Sequence, residues 1–338
     1  MPEPAVVPPV PPAAPVPQRV FITGALGFIG GTLARRYREA GAEVRGVDRV
    51  AAPEHGVVAG DVSEPGAWQQ HAAGCDLVVH TAAVVSNAAS DELSWRMNVL
   101  ATRRVLDAAR DGGAQRLVHF SSVRAFSDLG FPDGVEESWP VRTDGNAYVD
   151  TKVASEQVAL QAHAVGEVPV TVIRPGDVYG PRSRPWTILP VEYIKARRFL
   201  LPAMGRGVFS PVYVDTLVDG VVLAAGLPAG AGQVFTLSDG VAVSCREFFG
   251  HYTRMLGVRG PLCLPTPVAV ALAGAVGAVA RARGEETEAG RASALYLARR
   301  GTYSIAKARR VLGYAPAIDL TEGMRRTEAW LREAGHLD

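Results

Sequence analysis

A short apolar segment, Arg19-Val20-Phe21-Ile22, runs directly into a turn punctuated by glycines, Thr23-Gly24-Ala25-Leu26-Gly27-Phe28-Ile29-Gly30. The residues that follow, Gly31 to Ala40, have helical character and stop at Gly41, and Glu43 to Val47 reads as a second strand. A strand, a turn, a helix and a strand in about thirty residues is the size of one β-α-β unit. The glycine spacing limits what that turn can be. Gly24 permits a tight exit from the strand, Gly27 lets a pyrophosphate approach the backbone, and Gly30 lets the helix pack close to the sheet. The helix start adds free N–H groups and the positive end of its dipole. Asp48 ends the second strand, where a carboxylate accepts hydrogen bonds from ribose hydroxyls and repels a 2′-phosphate. These residues predict a dinucleotide cradle that favours NAD over NADP. Arg49 can hold a phosphate and leaves NADP open. Asp61-Val62, after another short apolar run, is positioned to meet the adenine edge.

The alternation continues along the chain. Leu77 to His80 and Arg116 to Phe120 are strand-like, Trp95 to Arg110 and Tyr148 to Val165 are helical, and Val170 to Arg174 is again a strand. Such a pattern predicts an α/β fold, a Rossmann doubly wound parallel sheet. Beyond about Gly180, proline and glycine interrupt the pattern. Val212-Tyr213-Val214 and Val234 to Leu237 remain as short apolar runs among helices. The expected organisation is a Pro-rich disordered tail over 1–18, a dinucleotide-binding domain over 19–180, and a smaller C-terminal substrate-binding lobe over 181–338. Some segments of that lobe are expected to return to the main sheet.

Tyr148-Val149-Asp150-Thr151-Lys152 places a phenol and an ammonium four residues apart, on one face of a helix. A phenol with a pKa of about 10 is a poor base at neutral pH. A nearby cation stabilises the phenolate, so Tyr148 can exchange a proton with a substrate oxygen while hydride moves to or from a nicotinamide. The chain has lysine only at Lys152, Lys195 and Lys307, which makes a chance YxxxK match less frequent. Ser121-Ser122 ends a strand, where active groups of doubly wound sheets gather. Taken alone, those serines are as readily read as strand-end caps.

Together these motifs resemble the extended short-chain dehydrogenase/reductases, also called the NAD-dependent epimerase/dehydratase family. The resemblance rests on TGxxGxxG, Asp48, Asp61-Val62, His80-Thr81-Ala82-Ala83, Asn98-Val99, Ser121-Ser122, YxxxK and Arg174-Pro175-Gly176-Asp177-Val178-Tyr179-Gly180-Pro181, in family order. It extends from about Arg19 to the closing segment around Leu312 to Gly323. The resemblance implies that Tyr148 is the proton donor or acceptor. Lys152 would bind the nicotinamide ribose and tune Tyr148, and Ser122 would polarise the substrate oxygen. Asn98 would support the helix geometry or a proton path. Gly24, Gly27, Phe28, Ile29, Gly30, Ala82, Ala83, Pro175 and Val178 would line the cofactor.

Departures from the family narrow the branch. Sugar-nucleotide dehydratases carry an Asp-Glu pair after the catalytic Ser or Thr, and this chain has Val123-Arg124. Sugar-nucleotide epimerases usually carry an Arg-Asp-Phe segment whose arginine meets the diphosphate. Here the segment is Gly207-Val208-Phe209-Ser210, with Arg206 close by. The C-terminal half looks more like the 3β-hydroxysteroid dehydrogenase-like branch, which implies hydride transfer on an apolar secondary alcohol or ketone, with a steroid-like molecule among the candidates. A sugar-nucleotide 4-epimerase with tightly bound NAD is the alternative, and a non-catalytic dinucleotide sensor stands behind both.

Bulk properties agree with a small-molecule enzyme. Of 338 residues, 48% are hydrophobic and 20% charged, and the formal net charge of +1 gives no reason to expect nucleic acid. Cys75, Cys245 and Cys263 are widely spaced, so neither a metal site nor a disulfide framework is expected, and a cytoplasmic setting fits. Met1 to Gln18 has no basic n-region and no uninterrupted apolar core, so it does not read as a signal peptide. Leu262 to Ala280 is almost uniformly apolar but short for a bilayer span. It is expected to be a buried helix of the substrate lobe, with no integral membrane segment in the chain. A homodimer through the helices 95–110 and 148–165 follows from the resemblance.

Overall fold

The computed structural model describes residues 14–128, 130–284 and 287–337. The first half alternates strands and helices: β1 (Arg19–Thr23), α1 (Phe28–Glu39), β2 (Glu43–Asp48), β3 (Val57–Ala59), β4 (Leu77–His80), α2 (Asp91–Trp95), α3 (Ala101–Asp111), β5 (Arg116–Phe120), α4 (Ala147–Ala164) and β6 (Val170–Pro175). The second half contains β7 (Asp177–Tyr179), α5 (Leu189–Lys195), β8 (Leu200–Leu201), β9 (Val208–Phe209), β10 (Pro211–Tyr213), α6 (Val214–Gly226), β11 (Val234–Leu237), β12 (Val243–Ser244), α7 (Cys245–Met255), β13 (Leu262–Cys263), α8 (Thr266–Ala282), α9 (Arg291–Tyr296), α10 (Ala306–Leu312) and α11 (Leu320–Glu333).

Seven strands form one parallel sheet in the order β11-β6-β5-β4-β1-β2-β3. Its strands are apolar on both sides because both faces are covered. On β1, Val20 and Ile22 join the core beneath α1 and α6, while Phe21 joins the opposite core beneath α3 and α4. The order reverses between β1 and β4, and the crevice at that switch point is where such sheets bind ligands. β11 comes from the second half of the chain and pairs with β6. The apolar run 212–214 divides between two elements: its first residues pair with β7, and Val214 opens α6.

The stretch expected as one helix from Trp95 to Arg110 is interrupted. A π-helical turn over Arg96–Leu100 separates α2 from α3. Asn98 lies in the middle of that turn with its buried amide fully engaged, and π-turns tend to sit at functional sites.

The largest correction concerns α8, which was expected to be buried. Its buried residues are only Ala269, Gly277 and Ala280, small side chains that allow close approach to the neighbouring chain. Val268, Leu272, Val276 and Val279 point outward, and Val270 is half-buried. Composition alone could not show this, because the run is apolar all round. No helix among the described residues is long and apolar enough to cross a membrane. Of the predicted tail, residues 1–13 lie outside the described residues, and 14–18 form neither helix nor strand. Ala14 and Pro15 lie against Gly226 at the end of α6.

The position of α4 depends on a buried charge pair. Glu156, on the inner face of α4, accepts hydrogen bonds from Nε (3.0 Å) and Nη2 of Arg174 on β6. Both side chains are almost completely withdrawn from water. The Arg174 guanidinium also stacks 4.6 Å from the Phe126 ring centroid. Removing one partner of such a pair strands a buried charge, at a cost of about 3–5 kcal/mol. Glu156→Gln is therefore expected to lower unfolding stability by roughly that amount. Glu156→Leu combined with Arg174→Met should recover much of the loss; denaturant titration monitored by circular dichroism reads both.

Candidate active site

The glycine turn lies at the carboxyl end of β1. Gly24 adopts φ +67°, a left-handed conformation that favours glycine, and its N–H donates to the Val47 carbonyl at 2.9 Å. A Cβ on Gly30 would lie 2.1 Å from the Gly24 oxygen and 2.7 Å from Thr81 Oγ1, so only glycine fits. A Cβ on Gly27 would meet only the Gly24 oxygen, at 3.0 Å, and is otherwise open to the crevice. Gly27 is the N-cap of α1, no side chain caps the helix, and its first turn has no acidic residue. The N–H groups of that turn are left for an external anion. Asp48 is oriented by two backbone donors, Leu26 N–H at 2.9 Å and Arg49 N–H at 2.8 Å. Each carboxylate oxygen keeps a lone pair for a ribose hydroxyl. The cradle thus fits the pyrophosphate and adenosine ribose of a dinucleotide.

The other predicted cofactor residues are distributed unevenly. Phe28 and Ile29 are partly buried against the core at the start of α1. Ala82 and Ala83 lie half-buried beyond β4, where the Ala82 N–H donates to Thr23 Oγ1 at 3.2 Å beside the turn. Asp61 is exposed, and the Ser63 hydroxyl and N–H hold its carboxyl below the usual carboxylate range. The Val62 side chain belongs to the core against Trp68 and Phe21, which leaves its backbone for any adenine contact. Pro175 and Val178 are buried at the carboxyl end of the sheet. Sequence reasoning missed Arg182, just past Gly180-Pro181. Its guanidinium donates to the Leu26 carbonyl at 2.7 Å and so lies across the glycine turn.

At the carboxyl ends of β5 and β6 the structure brings Ser122, Tyr148 and Lys152 together. Asn146 starts α4, its side-chain oxygen accepting from the N–H groups of Tyr148 (3.0 Å) and Val149 (3.3 Å). Lys152 is buried and donates from Nζ to the Phe120 carbonyl at 2.7 Å. That contact leaves the ammonium 5.9 Å from the Tyr148 ring centroid. Burial lowers the Lys152 pKa to about 8, so it keeps most of its charge at neutral pH. Tyr148 is buried and its phenol is pushed up by that burial. A hydrogen bond with Ser122 and the charge of Arg124 act in the opposite direction. Ser122 also caps the short turn that follows, accepting from Arg124 N–H at 3.1 Å. Asn98 does not reach Tyr148. Its side chain accepts from Val84 N–H at 2.8 Å and donates to the Val84 carbonyl (3.1 Å) and to Thr151 Oγ1 (3.0 Å), tying the loop after β4 to α4.

Arg124 was visible in the sequence only as a departure from the Asp-Glu pattern. In the structure its guanidinium lies 5.0 Å from the Tyr148 ring centroid and 4.8 Å from that of Tyr296. Asp128 accepts from its Nε at 3.0 and 3.1 Å and also from Nη2, and Asn87 Oδ1 accepts from Nη1 at 3.0 Å. Burial works against its charge, but the Asp128 carboxylate, with Tyr296 and Tyr148 beside it, holds the pKa above the ordinary arginine value. Behind it, Asp177 accepts from Ser210 N–H at 2.9 Å, Arg299 Nη2 at 2.6 Å and the Tyr296 hydroxyl. Tyr148 therefore has two cations near its ring: Lys152 from its own helix and Arg124 from the turn after β5.

The family model described as the NAD dependent epimerase/dehydratase family matches residues 20–237. A 4-hydroxy-2-methyl-3-oxo-4-farnesyl-3,4-dihydroquinoline-1-oxide ketoreductase of Stigmatella aurantiaca is 32% identical over 94% of this chain and 96% of that protein. A 3-beta-hydroxysteroid dehydrogenase of Mycolicibacterium neoaurum is 29% identical over 90% of this chain and 89% of that protein. Among solved structures, MoeE5 in complex with UDP-glucose and NAD superposes with a TM-score of 0.74 at 26% identity, over 94% of this chain and 99% of that one.

The charge balance around Tyr148 generates a prediction. Arg124 favours the phenolate, while Asp128 and Asp177 disfavour it. Arg124→Gln removes the favourable charge, so the Tyr148 pKa should rise, by about one unit, and the phenolate fraction at fixed pH should fall about tenfold. Arg124→Lys should restore part of the shift. The measurement is phenolate absorbance against pH, each protein minus its own Tyr148→Phe counterpart; superimposable curves for wild type and Arg124→Gln would refute the reading.

Proposed function

The chain belongs to the NAD dependent epimerase/dehydratase family, and from that premise we propose that it interconverts a ketone and a secondary alcohol on an apolar small molecule, with Tyr148 as acid and base. It is an NAD-dependent enzyme of the extended short-chain dehydrogenase/reductase type. NAD, when bound, accepts or supplies the hydride; the glycine turn, the start of α1 and Asp48 are the groups that would hold it. In the reductive direction the Tyr148 hydroxyl gives its proton to the substrate carbonyl oxygen, which Ser122 also hydrogen-bonds. The positive charges of Lys152 and Arg124 stabilise the phenolate left behind. In the oxidative direction the same phenolate takes the alcohol proton.

The observation that carries the choice of substrate is Phe209. It occupies the place where the epimerases' diphosphate arginine is expected. It is fully buried, with ring centroids of Phe248, Trp186 and Phe249 at 4.0, 5.0 and 5.5 Å. Arg206 is exposed and cannot replace it within that cluster. Val123-Arg124 likewise leaves the dehydratase acid-base pair without a counterpart. The names of the ketoreductase and the steroid dehydrogenase support an apolar ketone or alcohol. A UDP-glucose 4-epimerase of Mycolicibacterium smegmatis, 30% identical over 93% of this chain, and the UDP-glucose bound in MoeE5 keep sugar-nucleotide epimerisation as the second reading.

A panel of hydroxysteroids, apolar ketones and UDP-glucose, followed at the reduced-nicotinamide band, tests the proposal. Net NAD(H) turnover on an apolar substrate is expected, with kcat reduced about 10²–10⁴-fold in Tyr148→Phe while dinucleotide binding persists. Conversion of UDP-glucose to its 4-epimer without net reduction would overturn it.

We also read the chain as a homodimer through the α2–α3 and α4 faces. Trp95 and Leu100, large apolar side chains on that side of the π-turn, are exposed in the single chain. Light scattering should give a dimer mass, and a monomer mass would refute this assignment.

A further inference from the structure

The redox site uses neither α8 nor the pocket at its start. We propose that these two features together form a docking surface for an anionic phospholipid bilayer.

The outward side of α8 consists of Pro267, Val268, Ala271, Leu272, Ala275, Val276, Ala278, Val279 and Ala282, all exposed. Val268, Leu272, Val276 and Val279 are 52, 45, 45 and 51% exposed. At helical spacing these four fall in a stripe about 80° wide. A contiguous apolar surface of this kind marks an interaction site. α8 is about 25 Å long, enough to lie in the headgroup–acyl boundary and too short to span the hydrocarbon core.

Charge selects the occupant. At the N-terminal end of α8, Pro265 and Thr266 help line a cavity of about 380 Å³ together with Met204, Arg206 and Arg300. No carboxylate lines that cavity. Both arginines are exposed, and among the described residues neither has a hydrogen-bond or ion-pair partner for its guanidinium. At the other end, Arg281 and Arg283 are exposed as well. A two-fold contact would bring this patch onto its own copy, and among the described residues the patch has no acidic residue to meet its arginines. Anionic headgroups beside an apolar acyl layer match both the charges and the stripe. The turn before the pocket is also unusual. Ala203 and Met204 adopt φ +53° and +55°, a left-handed conformation that L side chains rarely take. Met204 N–H donates to the Leu264 carbonyl at 3.0 Å, which holds the exposed methionine beside the start of α8. Strained non-glycine residues of this kind tend to persist at binding surfaces.

The proposal is independent of the substrate. Its test is flotation of the full-length protein with vesicles of phosphatidylcholine alone and of phosphatidylcholine mixed with phosphatidylglycerol. Binding to the mixed vesicles is expected, weakening as salt rises. The double variant Leu272→Glu/Val276→Glu should lose at least about tenfold in bound fraction. Arg206→Ala/Arg300→Ala should lose the preference for phosphatidylglycerol, about fivefold per arginine. Retained NADH binding shows that each variant is folded, since all four side chains are exposed. Absence of wild-type flotation overturns the proposal. So does a loss of mass in light scattering caused by Leu272→Glu/Val276→Glu, which would assign the face to a second copy. Binding of inorganic phosphate or UDP-glucose through Arg206 and Arg300, with no vesicle binding, also overturns it.

Discussion

The helix that carries Tyr148 and Lys152 is fixed to the sheet by Glu156 and Arg174, two opposite charges with almost no access to water. In a low-dielectric setting each ion is tolerable only beside the other. The pair lies one turn beyond Lys152 and so sets the depth at which the ammonium meets the Phe120 carbonyl. That depth in turn sets the distance from Lys152 to the Tyr148 ring. Asn146 fixes the other end of the same segment by capping the helix immediately before Tyr148. Asn98 adds a third restraint through Thr151, from a π-turn in the neighbouring helix. The position of the phenol is therefore determined from three directions, none of which involves the phenol itself.

The electrostatics of the site are correspondingly asymmetric. Burial alone would make Tyr148 a weaker acid and useless as a base at neutral pH. The Ser122 hydrogen bond and Arg124 oppose this shift without cancelling it, Lys152 stands 5.9 Å from the ring, and the two cations differ in kind. Lys152 is a desolvated point charge whose own pKa has been brought down by burial. Arg124 is a planar ion locked between Asp128 and Asn87, and it cannot lose its proton. In the dehydratases that the motif resembles, an acid stands at this place in the sequence. Exchanging an acid for a permanently charged guanidinium removes a proton donor and adds a fixed field, which suits proton transfer at Tyr148 better than elimination of water.

Much of this was legible in the sequence because it rests on local rules. The glycine turn is fixed by backbone conformation and close approach, and Asp48 by its place at a strand end. The YxxxK pair follows from helical spacing. The alternation of apolar strands and helices shows the parallel sheet, because covering both faces leaves strands apolar throughout. What the sequence hid depends on contacts between distant segments. Arg182 over the glycine turn, Arg124 beside Tyr148 and the Asp177–Arg299 pair join residues whose proximity no spacing rule predicts. The misreading of α8 has a different origin. A helix that is apolar all round has no polar face to mark its outer side, so composition suggests burial, whereas packing here places only alanine and glycine inward.

The Asp177–Arg299 pair also bears on the order in which the molecule can be made. The two residues are separated by 122 positions. The last strand of the sheet, β11, ends at Leu237, so a growing chain holds every strand of the main sheet well before Arg299 is synthesised. Asp177 lies at the carboxyl end of that sheet and, once the lobe has closed, is out of contact with water. A carboxylate sealed there without the arginine would have to take up a proton. Closure of the lobe over an ionised Asp177 therefore waits for Arg299, so the two halves of the chain are coupled through one buried charge pair.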